Sequence, residues 1–394
     1  MPPAVAPFDA PAAWQELVSL LEQTYGYFER PGVSGPDLVA SFAGAALATT
    51  TPAEFIDVAQ AFAHNFADPH LVVGPLDEND YSVVPTGADL AAAFDGERAV
   101  VLDVRSGSDA EAAGIRPGSE VIAVDGESPQ AAVVAALGRP FADLSAVQRD
   151  HGLVLALAGK RQRERQITLR AEGTLRELQL PATYAFADRV AALPPVGVSR
   201  RGEVGIIRFH NSLGRDDTVE AFRTALSGLM DTDALIIDLR NTPSGGNTVV
   251  ARGVMGHFVR ASTPYQMHRI PYDQRRFGVP RQFVEYVVPA EPFYPGRVLV
   301  LAGRWTGSMG EGMVIGFDAF GVETIGSTMG RLLGALHDFT LERSGARVGL
   351  GAETMFHVDG TPREDFLPRR LVDPADAGDS ALEAALAQLA ATSD

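Results

Sequence analysis

From about residue 200 onward the chain alternates short apolar strands with helical stretches, and this alternation constrains its fold more than any other feature. "EVGIIRF", "ALIIDLR", "RVLVLAG" and "VETIGS" read as strands. "DDTVEAFRTALSGLM", the segment after "SGGN" and "GSMGEGMVIGFDAF" read as helices between and after them. Strands that are apolar along their whole length are covered on both faces. Parallel strands need long crossover connections, and helices provide them. The expectation for residues 186–394 is therefore an α/β core, closed by a terminal helix in "SALEAALAQLA".

The front of the chain has a different texture. "AAWQELVSLLEQTYGYF" and "TPAEFIDVAQAFAHNF" space apolar side chains three and four apart, the second behind a Thr cap, so residues 1–75 read as a helical segment. Residues 76–185 alternate strand, turn and short helix, and "RQITLRAEGTLRELQLPA" reads as a hairpin around "AEGT".

Composition removes several functions. The formal net charge of −17 argues against a nucleic-acid partner and against docking on an anionic membrane. No cysteine is present, so disulfides, thiolate nucleophiles and Cys-based metal sites are excluded. No His-Glu-x-x-His run occurs, and neither a metal nor a cofactor is expected. No run approaches the length of a membrane span, and no basic n-region precedes an apolar h-region, so a cytoplasmic address is the expectation.

Four stretches carry chemistry. In "RWTGSMGEGM", Ser308 stands where a buried strand hands over to a helix. The first N–H groups of a helix lack intrahelical partners and favour negative charge, which suits either a plain N-cap or a nucleophile. In "LIIDLRNTPSGGN", Gly245 and Gly246 follow a buried strand and can offer N–H groups to an oxyanion, or can simply make a tight turn. In "FADPHLVV", His70 leaves a helix, and a nucleophilic serine requires such a base. "SGSDAEAAGIRPGSEVIAVDG" has the order and spacing of a PDZ domain, which binds peptide ends by strand addition.

Taken in order, these segments, with "VETIGSTMGRLLGA" and the closing "ALEAALAQL", resemble the C-terminal processing and tricorn-core serine proteases. The resemblance implies a crotonase-like (ClpP-like) core behind a PDZ-like domain, with Ser308 as nucleophile. One branch of that family uses a lysine in a Thr-x-Gly-Lys run. Here the run is "TMGR", with Arg331 in that place, and arginine cannot act as a base. Lys160, the single lysine, lies in the PDZ-like stretch. The tricorn-like branch draws a histidine from just before the PDZ segment, which implies His70 here. Its orienting carboxylate comes from a late loop, matched by "DGTPREDFLPRRLVDP", which implies Glu364, or Asp365 in its stead. Met309, with Gly245 or Gly246, would hold the oxyanion. Glu311, one turn after Ser308, would support the site from behind.

The expected function is a serine peptidase acting through an acyl-enzyme on a peptide or protein substrate, with the PDZ-like domain binding or gating it. The alternatives are an inactive relative that binds an apolar ligand or peptide, and an adaptor built on the PDZ-like domain.

Overall fold

The computed structural model describes residues 7–374 and 378–391. The four strands read from the alternating pattern lie side by side in one six-stranded sheet, whose two edge strands, Val196–Arg201 and Arg370–Leu371, the pattern did not give. The order of the sheet is Arg370–Leu371, Glu323–Gly326, Arg297–Ala302, Ala234–Asp238, Val204–Phe209 and Val196–Arg201. All neighbours run parallel except the last pair, where Val196–Arg201 turns back antiparallel. Every residue of Ala234–Asp238 is buried, as its unbroken apolar run requires. Helices Asp217–Ser227, Thr248–Met255 and Met309–Ala319 pack with one face through Phe222, Val254, Met313 and Phe317. The terminal helix Ser380–Ala390 covers the other face through Ala381, Ala385 and Leu389. The fold class is α/β, with further antiparallel sheets attached.

The second sheet is antiparallel: Gln282–Val287, Thr263–Arg269, Arg347–Phe356 and Ala335–Thr340. The short strand Val72–Gly74, just after His70, adds to Arg347–Phe356 in the register Val72↔Gly349, Val73↔Val348 and Gly74↔Arg347. That pairing carries His70 from the front of the chain to the core.

The helices Ala10–Thr24, Gly35–Leu47 and Pro52–His64 have no core of their own. Trp14, Phe55, Phe62 and Phe66 form one buried cluster with Leu333, Val348 and Leu350. Residues of the stretch 76–185 build a five-stranded antiparallel sheet, in the order Leu90–Asp95, Arg98–Val104, Glu120–Val124, Arg165–Ala171 and Thr174–Leu180. The last two strands are the expected hairpin. Helices Pro129–Leu137 and Ala146–Ala158 pack against this sheet over a separate apolar cluster.

Candidate active site

Ser308 begins the helix Met309–Ala319 in a backbone conformation of φ 50° and ψ −113°. Side chains other than glycine rarely hold positive φ, and such strain persists only where surrounding structure enforces it. Two features enforce it here. Thr242 N–H donates to the Trp305 carbonyl at 2.9 Å, and Gly307 N–H donates to the Thr242 carbonyl at 3.2 Å, so the two loops are zipped together. Ser308 N–H donates to a Glu311 carboxylate oxygen at 2.8 Å, closing a capping box. The glycines next to Ser308 serve this packing. A methyl group at Gly307 would stand 2.5 Å from the Pro243 carbonyl oxygen, and one at Gly310 2.3 Å from Thr242 Oγ1. They make room for protein backbone and side chain rather than for a substrate.

Glu311 is fully buried and does more than cap. It also accepts from Arg331 N–H at 2.8 Å and Leu332 N–H at 3.2 Å. Burial pushes its carboxyl up to about 7, against the pull of the Arg363 charge and the three N–H donors. It holds backbone and offers nothing to a reacting atom.

His70 is buried, and its Nδ1 lies 3.0 Å from the Leu333 carbonyl oxygen. A carbonyl can only accept, so Nδ1 carries the proton and Nε2 of the neutral ring bears the free lone pair. Burial, helped by the nearby Arg363 charge, lowers its pKa to about 4. Asp68 fixes the backbone beneath the ring: one carboxylate oxygen accepts from His70 N–H at 2.9 Å and Leu333 N–H at 3.4 Å, the other from Tyr25 Oη–H at 2.8 Å. Arg363, also buried, donates to the carbonyls of Leu332 at 2.9 Å and Gly334 at 2.7 Å. The segment Arg331–Gly334 is therefore gripped by Glu311 from the Ser308 side and by Asp68, His70 and Arg363 from the other.

The expected third member is not on the imidazole. Glu364 sits 3.5 Å from Tyr27 Oη, and Asp365 is exposed, pairing with Arg331 at 3.5 Å. The turn Arg363–Asp365 points the side chain of Arg363 inward and leaves Asp365 in solvent. The Leu333 carbonyl occupies the place on Nδ1 that a carboxylate was expected to take. Arg331 is spent on the surface, its side chain 63% exposed and donating to the Glu364 carbonyl, so it does not stand in for a lysine beside Ser308. Lys160 lies over the Tyr81 ring, in the five-stranded unit.

The two candidate glycines separate. Gly245 N–H donates to the Thr242 carbonyl at 3.0 Å and is unavailable to a substrate. Gly246 N–H and Met309 N–H donate to no protein group among the described residues. Gly245, at φ 61°, presses on the serine, and a methyl group there would stand 2.4 Å from Ser308 Cβ. Ser308, His70, Gly246 and Met309 all line one cleft of about 1030 Å³. A smaller cavity of about 460 Å³, between the five-stranded unit and the core, contains none of them.

Asp68, Glu311 and Arg363 are the residues that sequence reasoning underrated or missed. A carboxylate two residues before His70 and a Ser-x-x-Glu spacing were both present as signals. Nothing local marked Arg363.

Residues 203–357 match the model of Peptidase family S41. The chain carries a Peptidase family S41 domain. A serine-type peptidase, a hydrolase, is the enzyme class that goes with it. No curated protein matches the chain. Among solved structures, the photosystem II D1 C-terminal processing protease is 18% identical, with a TM-score of 0.60 and 95% of each chain covered. Mature CPAF in complex with lactacystin is 16% identical, with a TM-score of 0.61 and 97% of each chain covered. These likenesses establish a shared fold along nearly the whole length, and residues 203–357 lie within it.

Proposed function

We propose that this chain hydrolyses peptide bonds through an acyl-enzyme on Ser308, with His70 as the base. One observation carries the reading: a serine held at positive φ shares its cleft with a neutral imidazole whose Nε2 bonds no protein group among the described residues, and with two undirected N–H groups. In the proposed sequence His70 Nε2 takes the Ser308 proton as Oγ attacks the substrate carbonyl. The developing oxyanion accepts from Met309 N–H and Gly246 N–H. His70 then returns the proton to the leaving amine, and water attacks the acyl-enzyme along the same path. Asp68 and the Leu333 carbonyl orient the ring.

The five-stranded unit is proposed as a PDZ-like element that holds or gates a peptide or protein substrate. Its residue Thr86 lines the cleft and bonds through Oγ1 to Ser244 Oγ at 3.0 Å, on the loop that carries Gly246. The decisive experiment is covalent labelling by a fluorophosphonate combined with hydrolysis of a peptide library. Both are expected for the wild type and absent in Ser308→Ala with unchanged circular dichroism. Labelling or hydrolysis that survives Ser308→Ala removes the reading.

A further inference from the structure

One wall of the cleft is the strand Thr263–Arg269, which packs on the helix begun by Ser308. Gln266 and His268, two apart on that strand, face the same way, and both line the cleft. Gln266 is fully buried. Its Nε2 donates to Glu285 Oε2 at 2.7 Å and to Tyr265 Oη at 3.0 Å. A carboxylate can only accept, so the nitrogen end of the amide is fixed there and Oε1 is the opposite end. That oxygen is buried and accepts from no protein group among the described residues. It lies beside the helix start. A methyl group at Gly312 would stand 2.9 Å from Gln266 Oε1 and 2.3 Å from Met309 Cε.

His268 is the complement. Its Nδ1 lies 2.6 Å from Glu353 Oε2 and must be the donor there, so Nε2 carries a hydrogen only when the ring is doubly protonated. Nε2 is buried with no hydrogen-bond partner among the described residues, and Glu285 Oε2 is 3.7 Å away. Burial works against a charge on this ring, but the carboxylates of Glu285 and Glu353 outweigh it and raise its proton affinity. Those carboxylates are otherwise engaged, Glu285 by Arg252 at 3.1 Å and Glu353 by His337 at 3.1 Å. The wall therefore presents one orphan acceptor and, in the imidazolium form that the flanking carboxylates of Glu285 and Glu353 favour, an Nε2–H with no hydrogen-bond partner among the described residues.

A primary carboxamide offers the matching pair. We infer that Gln266 and His268 form a subsite for the side chain of a substrate glutamine or asparagine. The substrate amide N–H donates to Gln266 Oε1, and its amide oxygen accepts from His268 Nε2–H. The inference rests on the peptidase reading for its position. With the scissile carbonyl oxygen on Met309 N–H, the side chain on that same residue is the one that reaches the flank of Met309, so the subsite serves the residue before the cut bond. An apolar side chain there would leave both buried groups unpaired, a loss of about ten- to a hundredfold.

Two assays test this on the full chain. The first compares kcat/KM of wild type for peptides that differ only in Gln, Asn, Met or Leu before the scissile bond. The second measures binding of product-like peptides ending in the same four residues to Ser308→Ala, by fluorescence anisotropy. A preference for Gln or Asn over Met and Leu of about tenfold or more is expected in both, and Gln266→Met should erase it. Equal behaviour of Gln and Met peptides, or a preference that survives Gln266→Met, overturns the subsite. Should Gln266→Met not fold, the wild-type comparison of Gln and Met peptides decides alone. A carboxamide preference in binding with no hydrolysis by wild type would remove the peptidase reading and keep the subsite.

Discussion

Ser308 and His70 show how much of a reactive side chain's character is set by backbone. The serine is strained and its N–H is committed to Glu311, so it cannot help hold an oxyanion; that work falls to its neighbour. The imidazole is buried against a carbonyl and beside the charge of Arg363, so it resists protonation. With a pKa lowered to about 4, the ring is already a free base at mildly acidic pH. The expected kcat/KM of Glu311→Gln, which lacks the carboxyl that titrates near 7, is therefore flat between about pH 6 and 8 and falls only below about pH 5, as the neutral fraction of the ring declines. A rise centred between pH 6 and 7 in the steady-state profile of that variant would show that the working ring is solvated or paired to a carboxylate. His70→Ala should lose as much activity as Ser308→Ala, and the double variant no more than either, since members of one unit are not additive. Ser308 was legible in the sequence because it combined a strand-to-helix handover with a glycine-rich run. The acceptor on His70 was not legible, because it is a peptide carbonyl and any residue type could carry it.

Among the elements, the helix Met309–Ala319 and the segment Arg331–Gly334 behave as one part. Glu311 joins them by taking N–H groups from Ser308, Arg331 and Leu332. Glu311→Gln keeps the size but replaces one acceptor oxygen with an N–H₂ group facing N–H donors. The expected result is a fall in kcat of about ten- to a hundredfold with a smaller change in KM, and slower fluorophosphonate labelling. A stability effect follows from the same carboxyl. Its folded pKa, about 7, lies above its unfolded value of 4.5, so folding favours the protonated form. Its contribution is complete below about pH 4.5 and is lost as pH rises towards 7, by about 3 kcal/mol at most. The melting temperature of wild type relative to Glu311→Gln should therefore fall between pH 5 and pH 8. A difference that stays constant or grows would show that the carboxylate is comfortably charged in place.

The parallel strands and their helices were legible because each carries its own periodicity and its own caps, such as Asn247 before Thr248. The pairing of Val72–Gly74 with Arg347–Phe356 was not, because a three-residue strand has no period and its partner lies at the far end of the chain. Gly246 is a case where the residue type was legible and the reason was not. A methyl group there would stand 2.0 Å from the Leu213 carbonyl carbon and 2.5 Å from Gly214 N. Gly246→Ala should therefore destabilise the fold by about 1–3 kcal/mol through overpacking, besides displacing an oxyanion donor. Thermal denaturation and labelling of the same sample separate the two losses.

Across the whole molecule, the cleft depends on parts that come from every region of the chain, and Arg105 is the main tie between two of them. It is buried, and burial lowers its pKa only to about 10, so it stays charged at neutral pH. Its guanidinium donates to the Thr86 carbonyl at 2.8 Å within the five-stranded unit and to Asn241 Oδ1 at 3.1 and 2.8 Å in the core. Trp305 adds a bond from Nε1 to the Ala88 carbonyl at 2.8 Å. Asn241 opens the loop that ends in Gly246, and Trp305 precedes Ser308 by a single turn, so both tethers end beside the candidate chemistry. Arg105→Met keeps the apolar stem and removes the donors. It leaves the Thr86 carbonyl and the Asn241 amide oxygen without these partners, which should cost about 1–3 kcal/mol of stability. The sharper expectation concerns position rather than stability. Amide hydrogen exchange at residues 241–246 should rise in Arg105→Met, and labelling of Ser308 should slow, under conditions where the fold is fully populated. If exchange in that loop and labelling of Ser308 both match wild type, the five-stranded unit does not support the oxyanion loop through Arg105. Its influence on turnover, if any, would then pass through the substrate alone.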